Sequence, residues 1–130
     1  MDELLSDFLT ESSEHLEGVE NQLVQFERDP SDTALVAGIF RLVHTIKGTA
    51  SFLGLDRLQA VAHAAETLMG DLRDGVPPTQ KSVSLILSAI DRIKSILRGI
   101  EALGSEPEGD DSELIAELEA SVAAKRRRRP

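Results

Sequence analysis

The residue with the most distinctive chemistry in this sequence is His44, which is followed by Lys47 and Gly48 in the same apolar segment. An imidazole titrates near neutral pH, so a solvent-facing His keeps a large fraction of neutral nitrogen lone pairs that can attack phosphorus. The 130 residues contain no Cys, so thiol nucleophiles and zinc thiolate sites are excluded and chemistry must come from His, carboxylates or hydroxyls. Whether His44 can act therefore depends on which way its helix presents it and on its neighbours.

Four segments carry apolar side chains at the three- and four-residue spacing of amphipathic helices. Their ends are marked by capping residues, prolines and glycines. The predicted helices are one over residues 2–28 that ends before Pro30, one from a cap at Ser31 or Asp32 to Gly54, one from a cap at Asp56 to residues 74–75, and one from a cap at Thr79 to Gly104. No strand-type alternation or internal repeat competes with this reading.

The connections between these segments are short, so the sequence predicts an all-α fold in which residues 1–104 form an antiparallel up-down four-helix bundle. Residues 105–124 are predicted to be a polar linker and a short fifth C-terminal helix that docks on the bundle end. Asp110 and Glu113 have the spacing of a capping box for that helix. Residues 125–130 form a basic tail that we expect to be disordered.

The charge of the chain excludes several classes of function. The formal net charge is −9, but residues 125–129 are all basic, so residues 1–124 carry 9 basic and 23 acidic groups, or −14. An acidic body repels phosphate backbones and anionic membranes, and without Trp or Tyr there is little surface for base stacking. We expect a soluble, cytoplasmic monomer that binds neither nucleic acid nor membrane.

Helical geometry predicts that His44 faces away from the core. At about 100° per residue it lies roughly 140° from the centre of the apolar stripe of its helix, in the outer half that also holds Phe40, Lys47, Gly48 and Ser51. The Lys47 ammonium can pair with a phosphoryl oxygen on His44, although taken alone it would be an ordinary solvated lysine. A glycine in mid-helix costs about 1 kcal/mol relative to Ala, so Gly48 either lets a partner approach the backbone or relieves crowding between helices. Phe40, Gly48 and Ser51 are the predicted partner-binding residues.

The turn at Gly54 predicts a helical hairpin in which His44 comes level with Glu66. Glu66 is then the candidate to accept a hydrogen bond from one ring nitrogen of His44, which fixes the tautomer and stabilises positive charge as the ring attacks phosphorus. His63 lies one turn before Glu66 and either bonds Glu66 or lines this site, or is a surface His without a role.

The motif FRLVHTIKG over residues 40–48, followed by FLGL over residues 52–55, resembles the signature of histidine phosphotransfer (HPt) domains. The chain looks most like the HPt domain at the N-terminus of the chemotaxis histidine kinase CheA, over roughly residues 2–120. The resemblance implies that His44 is the phosphorylated His, with Lys47, Gly48, Glu66 and His63 in the matching positions around it.

The resemblance also implies the partners. No Gly-rich phosphate loop or nucleotide pocket is identifiable in the sequence, so a separate CheA-type kinase domain using ATP and Mg²⁺ is expected to phosphorylate His44 in trans, and this chain itself is expected to bind no cofactor. The phosphoryl group is then expected to pass to an aspartate of a CheY-like or CheB-like response regulator, whose own site supplies Mg²⁺. In a metal-bundle alternative, His63 and Glu66 would be ligands, but the further inward Glu residues are missing. In the other alternative, the chain is a non-catalytic docking bundle.

Overall fold

Six α-helices follow one another in residues 3–127, the part of the chain that the computed structural model describes; its side chains are described for residues 3–122. The helices are α1 Glu3–Leu16, α2 Val19–Arg28, α3 Thr33–Leu53, α4 Asp56–Arg73, α5 Gln80–Leu103 and α6 Ser112–Arg127. No strand occurs in this part of the chain, which confirms the predicted all-α fold class. Within the same residues, no helix is both long and apolar enough to cross a membrane.

The first arm of the bundle, residues 3–28, consists of the two helices α1 and α2, whereas the sequence predicted a single helix over residues 2–28. Gly18 adopts the left-handed conformation with φ of 82°, which ends α1 and starts α2. Leu16 and Val19 are both buried on either side of the break, and both helices pack against α3 and α5. The apolar stripe therefore continues through the break, which is why periodicity alone did not reveal it, whereas a glycine takes the left-handed conformation at little cost.

The core is formed by apolar side chains from all six helices, and the most extensive helix contact is between α3 and α4. The large side chains that are fully buried include Leu16, Leu23, Phe26, Ile39, Ile46, Leu58, Met69, Leu72, Ile86, Ile90, Ile93 and Ile96. All of these except Ile96 belong to the predicted stripes, so the periodicity of the sequence identified most of the faces that the bundle buries, although Leu103 at the end of the fourth stripe is exposed.

Three of the predicted helix ends are confirmed in detail. Thr79 and Ser82 form a capping box at the start of α5: the Ser82 N–H donates to Thr79 Oγ1 and the Thr79 N–H donates to Ser82 Oγ, each at 2.9 Å. Gly54 and Gly104 end α3 and α5 in the left-handed conformation, with φ of 75° and 76°. Asp32 precedes α3, but its side chain makes no capping hydrogen bond.

The predicted cap of α4 is wrong, because Asp56 is the first residue of the helix and Leu55 precedes it. The free N–H groups of this helix end are satisfied from far along the sequence, by Glu106. Its Oε1 accepts from the Arg57 N–H at 3.0 Å and its Oε2 accepts from the Leu58 N–H at 2.9 Å. A carboxylate at a helix N-terminus also meets the positive end of the helix dipole.

A second polar contact fastens the linker to the bundle at the buried carboxylate of Asp111. Arg57 donates to both of its oxygens at 2.8 Å, and Arg92 Nη1 donates to Oδ1 at 2.6 Å. The Arg57 Nη1 also donates to the Pro107 carbonyl at 2.8 Å. Since α6 follows directly and packs against both α4 and α5, it joins the core instead of standing apart from it.

The predicted basic tail over residues 125–130 falls partly outside the described residues. The backbone of α6 continues to Arg127, and residues 128–130 are beyond the described part of the chain. The expectation that this tail is disordered stays a prediction.

Candidate functional site

The site is built on the hairpin of α3 and α4. At the turn, the Leu55 N–H donates to the Ala50 carbonyl at 2.9 Å and the Gly54 N–H donates to the Ser51 carbonyl at 3.3 Å. This arrangement closes the C-terminus of α3 and reverses the chain at once. The two helices then run antiparallel in close contact, so side chains far apart in sequence become neighbours.

His44 faces solvent, as the helical periodicity predicted. Its side chain is 62% exposed, while Val43 and Ile46 on the same helix are buried in the core. Its Nδ1 lies 2.6 Å from Glu66 Oε2, which confirms the hydrogen bond predicted from the hairpin register. The ring is thus anchored through one nitrogen, and Nε2 is left to the outside.

The Glu66 carboxylate is mostly shielded, with 12% of its side chain exposed, and both of its oxygens are engaged. Burial raises the pKa of Glu66, but hydrogen bonds from Lys47 and His44 lower it by more, so its pKa lies below the ordinary value. Glu66 is therefore ionised at neutral pH and can only accept hydrogen bonds. The proton of the neutral imidazole must then be on Nδ1, which puts the free lone pair on Nε2.

Lys47 holds the other side of the same carboxylate. Its Nζ donates to Glu66 Oε1 at 2.9 Å, and its side chain is 22% exposed. The sequence predicted that the Lys47 ammonium pairs with a phosphoryl oxygen on His44. In this structure the ammonium instead binds the Glu66 carboxylate, which orients His44. Lys47 follows His44 by three residues on α3, so its cation remains about one helical turn from the imidazole.

The structure does not bring His63 into this network. Its side chain is exposed one turn before Glu66, and within the described residues no hydrogen bond or ion pair of its ring is found. Both oxygens of Glu66 are already occupied by His44 and Lys47.

Phe40 contacts the site from one turn earlier on α3. Its ring and the His44 ring are nearly parallel, with an interplanar angle of 7° and centroids 6.3 Å apart. The guanidinium carbon of Arg73, on the last turn of α4, lies 4.2 Å from the Phe40 centroid. The sequence reasoning missed Arg73, although the hairpin register places residue 40 level with residue 70, and so within reach of a long side chain one turn further on.

Gly48 and Ser51 are exposed on the same helix. A Cβ added at Gly48 would meet nothing within 4 Å, so the glycine does not relieve crowding between helices, and that alternative is wrong. What remains is bare backbone beside the exposed imidazole.

An open groove of about 480 Å³ lies on the other side of α3, between this helix and the first arm of the bundle. Arg41, Leu42 and Thr45 line it from α3, and His15 and Gln22 line it from α1 and α2. The groove reaches the residue next to His44 but contains none of the site residues. Within the described residues, no group of three or more His, Asp or Glu side chains is placed to hold a metal ion.

Comparison with known proteins gives matches over nearly the whole chain. The model of the family described as Hpt domain matches residues 3–127. The chemotaxis protein CheA of Listeria monocytogenes is 31% identical over 118 residues, which are 90% of this chain and 19% of that protein. The sensor histidine kinase CheAY of Helicobacter pylori is 34% identical over 125 residues, covering 92% of this chain and 16% of its own length. The chain thus spans less than a fifth of the length of these relatives.

Solved structures resemble the same region. The phosphorylated P1 domain of CheA3 from R. sphaeroides, solved in complex with CheY6, superimposes with a TM-score of 0.84 at 32% identity, covering 95% of this chain and 98% of that one. The solution structure of a histidine phosphotransfer domain of CheA gives a TM-score of 0.80 at 25% identity, covering 96% of this chain and 92% of that one.

Proposed function

Since the chain belongs to the Hpt domain family, we propose that it is a phosphocarrier of a two-component chemotaxis pathway and that His44 carries the phosphoryl group. The observation that carries this proposal is the exposed imidazole whose Nδ1 is held 2.6 Å from a mostly shielded, ionised carboxylate, with Nε2 directed outward. A docking module would need neither an oriented nucleophile nor a carboxylate behind it.

In the proposed reaction, the Nε2 lone pair attacks the γ-phosphorus of ATP held by a kinase domain. A bond forms between Nε2 and phosphorus, the bond from phosphorus to the bridging oxygen breaks, and ADP leaves with that electron pair. The ring gains positive charge as it attacks, and the Glu66 carboxylate stabilises that charge through the proton on Nδ1. No proton has to leave the ring, because the attacking nitrogen carries none.

In the second step, an aspartate carboxylate of a response regulator attacks the same phosphorus. The bond from phosphorus to Nε2 breaks and its electron pair returns to the imidazole, which restores the starting tautomer with its proton on Nδ1. The phosphoryl group on His44 places a second negative charge near the Glu66 carboxylate. The Lys47 ammonium, one turn away from His44, offsets the repulsion between these two negative groups.

The partners in this proposal are a CheA-type kinase domain acting in trans and a CheY-like or CheB-like receiver domain. The complex of a CheA3 P1 domain with CheY6 supports the second partner, since that domain resembles this chain at a TM-score of 0.84. ATP and Mg²⁺ are proposed to belong to the kinase and Mg²⁺ to the receiver, while this chain acts in the cytoplasm as a monomer without a cofactor. Phe40, Gly48 and Ser51 are proposed to border the surface that the partners approach.

The test is phosphorylation by a CheA-type kinase domain with radiolabelled ATP, comparing the chain with His44→Gln. The variant should take up no label, because the amide cannot attack phosphorus, and its circular dichroism should be unchanged, because the side chain is exposed. His15→Gln and His63→Gln are matched controls that should keep their label. Equal labelling of His44→Gln and the unsubstituted chain would refute the site, and partner binding without any labelling would favour the docking bundle.

A further inference from the structure

The hydrogen bond to Glu66 fixes one atom of the His44 ring but does not fix the plane of the ring. Coupled rotation about the Cα–Cβ and Cβ–Cγ bonds of His44 can still tilt the imidazole while Nδ1 stays within hydrogen-bonding distance of Glu66, and the tilt moves the outward lone pair on Nε2. The side chain is 62% exposed, so few core atoms restrain it. A phosphoryl acceptor must be aligned with the bond that breaks, so a second restraint on the ring affects the rate.

Phe40 supplies such a restraint. The two rings are within 7° of parallel at a centroid distance of 6.3 Å, which is the range of offset stacking. Phe40 precedes His44 by four residues on α3, so the two side chains lie one above the other on the same face. The plane of the Phe40 ring therefore helps to set the plane of the imidazole.

The Phe40 ring is in turn held by α4. The ring lies beside Gly70 of that helix, so close that a Cβ added there would be in ordinary van der Waals contact with Phe40 Cε2, at 3.6 Å. Arg73 places its guanidinium carbon 4.2 Å from the ring centroid, where a cation is attracted by the aromatic face. Arg73 is itself restrained by Asp74, whose Oδ1 accepts from Nε at 3.1 Å.

We infer that Arg73 is a positioning residue for phosphotransfer, acting through Phe40 on the plane of the His44 ring. The inference rests on the proposed function of His44 and adds a residue that touches neither the imidazole nor Glu66. Arg73 and Phe40 together provide a support on the side of the ring that Glu66 and Lys47 do not hold.

The test is a double-mutant cycle on the rate of labelling by the kinase domain, with Arg73→Ala, Phe40→Leu and the two combined. Arg73→Ala should lower kcat by about two- to fivefold with KM nearly unchanged, since a cation on a half-exposed ring gives an interaction of that size. Phe40→Leu should lower kcat at least as much, and its KM is not part of the test because Phe40 borders the proposed partner surface. Arg73→Lys should recover part of the loss. In the Phe40→Leu background, Arg73→Ala should have no further effect, because the ring through which it acts is gone.

Arg98→Ala is the matched control, since it removes one exposed arginine from α5 with the same change of charge. Nuclear Overhauser contacts between the rings of residues 40 and 44 should weaken in Arg73→Ala and persist in Arg98→Ala. Labelling of Arg73→Ala at the unsubstituted rate, losses that multiply in the double variant, or unchanged ring contacts would each overturn the inference. If no form of the chain is labelled, or if His44→Gln is labelled as well as the others, the proposed function fails instead.

Discussion

At the scale of single residues, the carboxylate behind the imidazole decides how well His44 can attack. Glu66→Ala removes the acceptor for Nδ1–H, which frees the tautomer and leaves the developing positive charge without a counter-charge. We expect the rate of phosphorylation to fall by roughly ten- to a hundredfold, less than the loss of most general acids or bases, because Glu66 orients and stabilises the ring without transferring a proton. Labelling rates and circular dichroism of the same samples measure this, with the helical content expected to stay constant.

Glu66→Gln separates the two roles of that carboxylate. An amide oxygen still accepts from Nδ1–H but carries no charge, so the variant should label faster than Glu66→Ala and more slowly than the unsubstituted chain. Unchanged rates in both variants would remove Glu66 from the mechanism.

A second residue-scale prediction concerns the bare backbone at Gly48. Since a Cβ there meets nothing within 4 Å, Gly48→Ala should stabilise the domain by about 0.5–1 kcal/mol through helix propensity. If a partner approaches the backbone beside His44, the added methyl group should slow transfer nonetheless. Urea unfolding measures the expected gain in stability, and transfer rates of the same samples measure the expected loss in rate.

Gly38→Ala is the matched control, because Gly38 is on the same helix and a Cβ there also meets nothing within 4 Å. It should give a similar gain in stability, without the loss in rate. A transfer rate of Gly48→Ala equal to that of Gly38→Ala would argue against close approach at this position.

The residues of the site differ in how far the sequence could place them. The outward direction of His44 and its pairing with Glu66 followed from helical periodicity and hairpin register, because those fix where the Cβ atoms lie. The true partner of Lys47 and the contact of Arg73 with Phe40 did not follow, because long flexible side chains choose among several neighbours that the backbone puts within reach.

At the scale of elements, α4 carries Glu66 and Arg73, and its start is capped by Glu106 from the linker. Glu106→Ala should destabilise the domain by about 1 kcal/mol, since two N–H groups at a helix start lose their acceptor. Urea denaturation measures the free energy of unfolding. Glu108→Ala removes the same charge from an exposed position of the same linker and should change stability little.

An equal loss of stability in the Glu106 and Glu108 variants would mean that linker charge matters and the cap does not. The sequence could not have predicted this cap, because the carboxylate comes from 48 or 49 residues along the chain and reaches the start of α4 through the packing of α5 against α4. The capping box of Thr79 and Ser82, by contrast, is local and was visible in part as a cap at Thr79. The break at Gly18 was hidden for a different reason, since the apolar stripe runs straight through it.

At the scale of the whole molecule, the contact between the C-terminal region and the bundle depends on one ionised group. Hydrogen bonds from Arg57 lower the pKa of Asp111, burial opposes this, and Arg92 adds to the lowering, so its pKa lies below the ordinary value. With 5% of its side chain exposed, Asp111 holds together α4, α5 and the start of α6. Protonation of Asp111 would therefore weaken the attachment of the C-terminal region to both α4 and α5.

The lowered pKa of Asp111 determines how the stability of the fold should depend on pH. A carboxyl whose pKa is lower in the folded state than in the unfolded state stabilises the fold above the unfolded value, near pH 4, and loses that contribution as the pH falls through the folded value. At pH 7, Asp111→Asn should cost about 3 kcal/mol, because it leaves two arginines facing an uncharged group. As the pH is lowered from about 5 towards 2, the gap between the two proteins should close.

Free energies of unfolding from urea titrations at each pH measure this gap, with Asp110→Asn as the control. Asp110 is the neighbouring residue, exposed, and its side chain accepts from the Ser112 N–H without contacting either arginine. At neutral pH, the free energy of unfolding of Asp110→Asn should be close to that of the unsubstituted chain. A gap between Asp111→Asn and the unsubstituted chain that stays constant from neutral to acid pH would mean that the charge of Asp111 does not fasten α6. The C-terminal helix would then be held by its apolar side chains, of which Leu114, Leu118 and Val122 are buried.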